Sequence, residues 1–260
     1  MGYALVSGGS KGIGYAIAAA LAKRKFNLLL IARSIKELES AKKNLESEYH
    51  IHVEILQFDL SQDGSADIIA KWCIEKDLQL KILCNVAGIG GSKDYLSTSL
   101  SDTRHMLRLN TEPAIALISN LLPLLKKNSP SYILNVASMA GFAPIAVKNI
   151  YSASKSALIF FSYSLRYQLK KDDISVSCLC PGPVFTKPGI QKETIKKLGW
   201  LGKQMAVPLE EVGEIAVRRT LKRRMLIVPG TITWIISIFL RLLPKRLISL
   251  IYYKLSSETA

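Results

Sequence analysis

Acidic residues are scarce in this 260-residue chain: 20 Asp and Glu stand against 35 Lys and Arg, for a formal charge of +15. Cysteine and histidine are scarcer still. The four cysteines (Cys73, Cys84, Cys178, Cys180) show no C-x-x-C spacing, and the three histidines (His50, His52, His105) do not cluster with them. That pattern argues against a disulfide framework and a zinc site, and no metal centre is expected; buried thiols in a reducing compartment are the simpler expectation. No internal repeat or low-complexity segment divides the chain. A basic segment, an apolar stretch and a cleavage site in succession are also missing at the start, which enters "YALVSGG" directly. The expected setting is therefore cytoplasmic rather than secretory.

With 49% hydrophobic residues the chain can bury one large core, and a single α/β domain of this length is ordinary. The charge is unevenly placed. Residues 187–260 hold fourteen Lys and Arg against five Asp and Glu, whereas the preceding residues hold twenty-one against fifteen. A basic end attracts nucleic acid, an anionic membrane surface or an anionic substrate. Hydrophobic segments within the same region favour membrane or acyl-chain contact, and no nucleic-acid module is recognisable, so nucleic acid is not an expected partner.

Short apolar runs alternate with helical patterns. "YALVS" (3–7), "NLLLIA" (27–32), "HVEILQF" (52–58), "KILCNVA" (81–87), "SYILNVA" (131–137) and "ISVSCLC" (174–180) read as strands, and "RMLIVP" (224–229) as a seventh. They are rich in Leu, Ile and Val with little alternation, as expected where a parallel sheet is covered on both faces. Helix-length segments lie between them at 11–25, 34–49, 63–78, 99–127, 149–171 and 208–222. The alternation predicts an α/β fold with a doubly wound parallel sheet of about seven strands. Residues 182–207 read as a long excursion that covers a site.

The first strand runs into "SGGSKGIG", residues 7–14. Gly8, Gly12 and Gly14 fall where a strand turns sharply into a helix. Without Cβ atoms they let backbone N–H groups reach a pyrophosphate at the helix amino end. Ser7, Ser10, Lys11 and Ile13 share that turn and join the expected dinucleotide-binding set. At the end of the second strand, an acidic residue would hold the adenosine ribose hydroxyls of NAD, but Ala32 and Arg33 stand there instead. Arg33 and Lys11 supply two cations suited to a 2′-phosphate, so NADP(H) is the expected cofactor.

Tyr151 and Lys155 lie four residues apart in "IYSASKSAL" (150–158), which places them on one face of a helix. Alone, that pair is ambiguous. Together with "SGGSKGIG", "DL" at 59–60, "NVAG" at 85–88, Asn110, Ser138 and "PGPVFT" at 181–186, the chain resembles the short-chain dehydrogenase/reductase family in its form of about 250 residues. The resemblance implies a Rossmann-type catalytic domain over 1–230, followed by a helical extension over 231–260. It also implies a homodimer or homotetramer.

By that resemblance, Asp59 and its neighbour Leu60 would hold the adenine, and Asn85, Ala87 and Gly88 would line the cofactor. Val86 replaces an asparagine common in the family, and Ser7 replaces a more usual threonine while keeping a hydroxyl. Pro181, Gly182, Val184 and Thr186 would meet the nicotinamide carboxamide. The tetrad Asn, Ser, Tyr and Lys has its counterparts in Asn110, Ser138, Tyr151 and Lys155, with Tyr151 and Lys155 also touching the cofactor.

Reducing a ketone requires a proton at oxygen, and a free phenol with a pKa near 10 is a poor match to neutral pH. An ammonium neighbour and a bound nicotinamide are expected to lower it. Ser138 would orient the carbonyl, and Asn110 would hold a water that links Lys155 to solvent. Tyr163, Arg166 and Tyr167, further along the helix, read as packing or subunit-contact residues.

The end of the chain, "PGTITWIISIFLRLLPKRLISLIYYKLSSETA", carries Thr233, Ser237 and Arg241 as one polar stripe on an otherwise apolar segment of about 13 residues. That is too short to cross a bilayer. A pocket cap, a subunit contact and a helix at the inner face of a membrane are all open readings. The expected activity is reduction of a hydrophobic ketone, or oxidation of its alcohol, with NADP(H). The alternative is a dinucleotide-binding redox sensor or membrane-associated scaffold without turnover.

Overall fold

The computed structural model describes residues 2–91, 95–184 and 206–257. Seven parallel strands form one sheet: β1 (Tyr3–Ser7), β2 (Asn27–Ala32), β3 (Val53–Gln57), β4 (Leu80–Asn85), β5 (Ser131–Val136), β6 (Ile174–Leu179) and β7 (Leu226–Ile227). Their order is β3-β2-β1-β4-β5-β6-β7. The order reverses beside β1, which pairs with β2 on one side and β4 on the other. The expected doubly wound α/β sheet is therefore present, and a crevice opens beyond the strand ends at this switch point.

The apolar runs read as strands because both faces are covered, and side chains alternate between them. Ala4 and Val6, Leu28 and Leu30, and Ile82 and Cys84 join one core with helices α1 (Gly12–Ala22), α2 (Ile35–Tyr49) and Leu209–Leu221. Leu5, Leu29, Ile31 and Leu83 point the other way, against α3 (Ser65–Glu75) and Glu112–Lys127. Each fully buried leucine or isoleucine contributes about 1.5–3 kcal/mol relative to leaving it in water.

One expected element divides. The stretch 99–127 forms two helices, α4 (Leu100–Asn110) and α5 (Glu112–Lys127), broken at Thr111 with φ −129° and ψ −55°. Pro113 has no amide hydrogen and therefore fits the first turn of a new helix. The buried Asn110 side chain is occupied across the break, accepting from the Ile89 amide at 2.7 Å and donating to the Ile89 carbonyl at 3.0 Å. The seventh strand is also shorter than the expected 224–229.

Helices α6 (Asn149–Gln168) and α7 (Leu209–Leu221) complete the two layers, and α8 (Thr231–Leu242) and α9 (Lys245–Ser257) form the extension. Two residues of the α8 stripe turn inward: Thr233 and Ser237 are fully buried, while Arg241 is exposed and lies 5.8 Å from the Phe142 ring. Among the described residues, no helix is long and apolar enough to cross a membrane. Most of the expected site-covering excursion, residues 185–205, lies outside the described residues.

Candidate active site

A cleft of about 760 Å³ runs along the carboxyl ends of β1, β2, β4 and β5. Its floor is the glycine turn. Gly8 and Gly12 have positive φ (69° and 58°), where residues with a Cβ are strained. A Cβ on Gly8 would sit 3.1 Å from the Ala87 backbone, and one on Gly14 would collide with the Gly8 carbonyl at 2.0 Å. These contacts bring β1, α1 and the segment after β4 together. The amino end of α1 has no side-chain cap and no acid in its first turn. Its amides and partial positive charge are therefore available to a phosphate.

The residues named from sequence fall into three positions. Gly8, Ser10, Lys11, Ile13 and Gly14 line the cleft from α1's end, as do Arg33, Asp59 and Leu60 from β2 and β3. Ala87, Gly88, Ser138, Tyr151, Lys155, Pro181, Gly182 and Val184 line the remainder. Ser7, Asn85 and Asn110 stand behind the wall and brace it. Thr186 lies outside the described residues.

The braces are specific. The buried Ser7 hydroxyl accepts from the amides of Val86 (3.0 Å) and Ala87 (3.2 Å), so it shapes the segment after β4. Asn85 donates to Asn135 at 2.9 Å, and Asn135 donates to Ser162 at the same distance. This buried chain ties β4 to β5 and α6. Val86 lines the cleft with an apolar side chain and fixes its position through its backbone. At the adenosine end, Asp59 Oδ1 accepts from the Ser61 amide (2.9 Å) and hydroxyl (2.8 Å). Burial works to raise the Asp59 carboxyl, but the hydrogen bonds from Ser61, helped by the electrostatic influence of Arg33 and His105, leave it below its ordinary value.

Three of the four catalytic candidates, Ser138, Tyr151 and Lys155, line one end of the cleft, and Asn110 stands behind them. Ser138 follows β5 in extended backbone and accepts from the Ala140 amide at 3.2 Å, which caps the turn Met139–Phe142. Tyr151 and Lys155 leave the first two turns of α6, with the ammonium 6.0 Å from the phenol ring centroid. Lys155 Nζ donates to the Val136 carbonyl at 3.0 Å. Asn110 donates to Ser154 at 3.1 Å, and Ser154 donates to the Tyr151 carbonyl at 2.8 Å. Gly88 sits between them: a Cβ there would lie 2.8 Å from Asn110 Oδ1 and 3.3 Å from Lys155 Nζ.

The electrostatics differ from expectation in one respect. Burial lowers the Lys155 ammonium to about 8, with the nearby Cys178 and Cys180 working the other way. Burial also raises Tyr151 above its ordinary value; Ser138 opposes this and Cys180 adds to it. The protein's own groups therefore do not depress the phenol, because desolvation outweighs what the neighbouring side chains offer. Both shifts favour the uncharged forms of two buried groups.

Several neighbours carry no sequence signal. Glu37 accepts from Lys11 Nζ at 2.7 Å and from Ser10 at 3.3 Å, at the mouth where Arg33 also stands. Its place in the first turn of α2 is visible in the sequence, but its partner 26 residues upstream is not. Ser154 reads as one more small helix residue. A second hollow of about 160 Å³, lined by Ile89, Met106, Val147 and Ile150, shares Tyr151 with the cleft.

The family model for short chain dehydrogenases matches residues 2–197. The chain belongs to the short-chain dehydrogenase family. Among curated relatives of this chain is very-long-chain 3-oxoacyl-CoA reductase-A of Danio rerio, 32% identical over 203 residues. That match covers 75% of this chain, which spans 62% of the relative's length. A short-chain dehydrogenase from Sphingobium yanoikuyae in complex with NADPH superposes with a TM-score of 0.79 at 25% identity, covering 89% of this chain and 88% of the other. A 7beta-hydroxysteroid dehydrogenase gives a TM-score of 0.86 over 96% of both chains at 16% identity, and that likeness concerns the fold alone. The dehydrogenase fold expected from sequence is thus the one observed.

Proposed function

We propose that the protein is an NADP(H)-dependent reductase of hydrophobic ketones, with Tyr151 as proton donor. The observation that carries this reading is the convergence of Ser138, Tyr151 and Lys155 on one end of a cleft whose other end offers Arg33 and Lys11. The cleft suits a dinucleotide: glycines at 8, 14 and 88 keep its wall free of Cβ atoms, and the uncapped amino end of α1 suits a pyrophosphate. NADPH is also the cofactor of the Sphingobium yanoikuyae relative. When bound, NADPH supplies the reducing equivalent at the carbonyl carbon.

The chain's own residues do the rest. Ser138 donates to the carbonyl oxygen and fixes its orientation. The Tyr151 hydroxyl passes its proton to the same oxygen, and Lys155 stabilises the phenolate that remains. Asn110 holds Ile89 and Ser154 and would seat a water that links Lys155 to solvent, through which a replacement proton reaches the lysine. The hollow beside Tyr151 sets Ile89, Met106, Val147 and Ile150 beside Asp102, His105 and Lys148, and its apolar part supports a substrate with a lipophilic portion next to a polar one. The Danio rerio relative is named for a 3-oxoacyl thioester, so that class stands first among ketones to examine.

Partners belong to the same reading. The outward stripe Phe160, Tyr163 and Tyr167 on α6 supports a homodimer or homotetramer. A cytoplasmic enzyme resting peripherally on the inner face of a membrane suits a lipophilic substrate. The direct test follows NADPH absorbance with the purified chain and a panel of ketones and 3-oxoacyl thioesters of increasing chain length. Turnover that strengthens with chain length is expected. Tight NADPH binding with no turnover on any carbonyl compound would favour a sensor or scaffold instead.

A further inference from the structure

The two C-terminal helices carry their apolar side chains on the outside. In α8, Thr233 and Ser237 are fully buried, while Ile235, Phe239 and Leu242, spaced i, i+4, i+7, are exposed, the last two by 57% and 77%. Trp234 is also exposed. Close packing accounts for the inward polarity. A Cβ on Gly182 would lie 2.9 Å from Thr233 Cγ2, so only small residues fit that face. The Ser237 hydroxyl is satisfied within the helix by the Trp234 carbonyl at 2.6 Å. In α9, Ile248 is buried against the core at the carboxyl edge, while Leu247, Leu250, Ile251 and Tyr253 are exposed. At 100° per residue, Arg246 and Leu250 fall on the side opposite Ile248. Lys245 bonds the Phe142 and Leu240 carbonyls (2.9 and 2.8 Å), which fixes the turn between the helices to the domain.

Charge identifies the occupant of these faces. From Thr231 to Ala260 there are four basic residues (Arg241, Lys245, Arg246, Lys254) against one acidic residue, Glu258. A second copy docking through the same face would bring cations against cations. An anionic lipid surface complements both features at once: apolar side chains enter the acyl boundary while lysine and arginine reach headgroup phosphates. Helices of 12 and 13 residues are about 20 Å long, short of the roughly 30 Å hydrocarbon core, so they lie in the plane and do not span it.

We infer that α8 and α9 dock this protein on an anionic bilayer through Ile235, Phe239, Leu242 and Leu250, flanked by Arg246. This names the surface and the lipid charge behind the peripheral location above, and it is independent of the reductase reading because vesicle binding is measured without turnover.

The test is flotation of the full chain with phosphatidylcholine vesicles, with and without phosphatidylglycerol, across a salt series. The chain is expected to float with the anionic vesicles at low salt, to remain below with neutral ones, and to be released as salt rises. Phe239→Glu with Leu250→Glu should reduce partitioning at least tenfold. Arg246→Glu should also reduce partitioning and flatten the salt dependence. NADPH affinity and the melting midpoint, measured beside each variant, should match the unmodified chain. Equal behaviour on both vesicle types, or no flotation at all, would overturn the inference. So would glutamate variants that leave flotation intact, or that instead dissociate an oligomer. If a variant fails to fold, the lipid and salt dependence of the unmodified chain still decides.

Discussion

At the residue scale, the proposed reduction rests on Lys155 and Tyr151. Reduction needs the ammonium and the phenol both protonated, and burial leaves the ammonium at about 8 in the free protein. For a lysine, a lowered pKa means its proton is lost early as pH rises. kcat/KM for ketone reduction should therefore be level below pH 8 and fall toward one log unit per pH unit above it. A pH profile that stays flat to the ordinary lysine range would contradict this. The same shift bears on stability. Between pH 8 and the ordinary lysine value the unfolded chain holds the extra proton, so this group's contribution to stability rises with pH across that window. Glu37 acts at the other end of the cleft. It holds the Lys11 ammonium at 2.7 Å, and that ion pair places the Glu37 carboxyl below its ordinary value. Both side chains are well exposed, so the effect is modest. Glu37→Gln should free Lys11 and tighten NADPH binding about two- to fivefold at low salt, with a smaller change for NADH. Fluorescence titration of both cofactors would show it, and equal changes would refute it. Residue types and order made the tetrad and the glycine turn legible in the sequence. Glu37, Ser154 and the Asn85–Asn135–Ser162 chain were not, because their partners are brought close only by the fold.

At the scale of elements, the glycine turn depends on how α1 is held. Gly213 in α7 packs directly on it: a Cβ there would lie 2.3 Å from the Ala16 carbonyl oxygen. An ion pair between Arg24, in the turn that follows α1, and Glu214 ties the carboxyl end of α1 to α7. Gly213→Ala has to push backbone from backbone. We expect a loss of about 1–3 kcal/mol in denaturant midpoint experiments, with weaker NADPH binding because α1 carries the phosphate site. Unchanged stability would show that the helices part freely. The strands were legible because parallel strands covered on both faces are continuous apolar runs. The break between α4 and α5 had a signal in "NTEP", where Pro113 favours a helix start. Its cause, Asn110 held by Ile89, is tertiary. The stripe of α8 was also visible, but its inward direction follows from Gly182 and could not be read from periodicity.

At the scale of the whole molecule, the doubly wound sheet gathers residues 7 to 184 at one edge, and the charge asymmetry of the sequence collects in the C-terminal part. The exposed stripe Phe160, Tyr163 and Tyr167 should bury on self-association. Light scattering is expected to give a dimer or tetramer, and Phe160→Glu should lower the mass without unfolding the subunit. A monomer at micromolar concentration would remove that assignment. Proton donation by Tyr151 remains the central claim, and the Tyr151→Phe variant tests it most directly. NADPH binding should persist, because the cleft's glycine turn and cations are intact, while kcat for ketone reduction should fall by at least about a hundredfold. Turnover equal to that of the unmodified chain would contradict it.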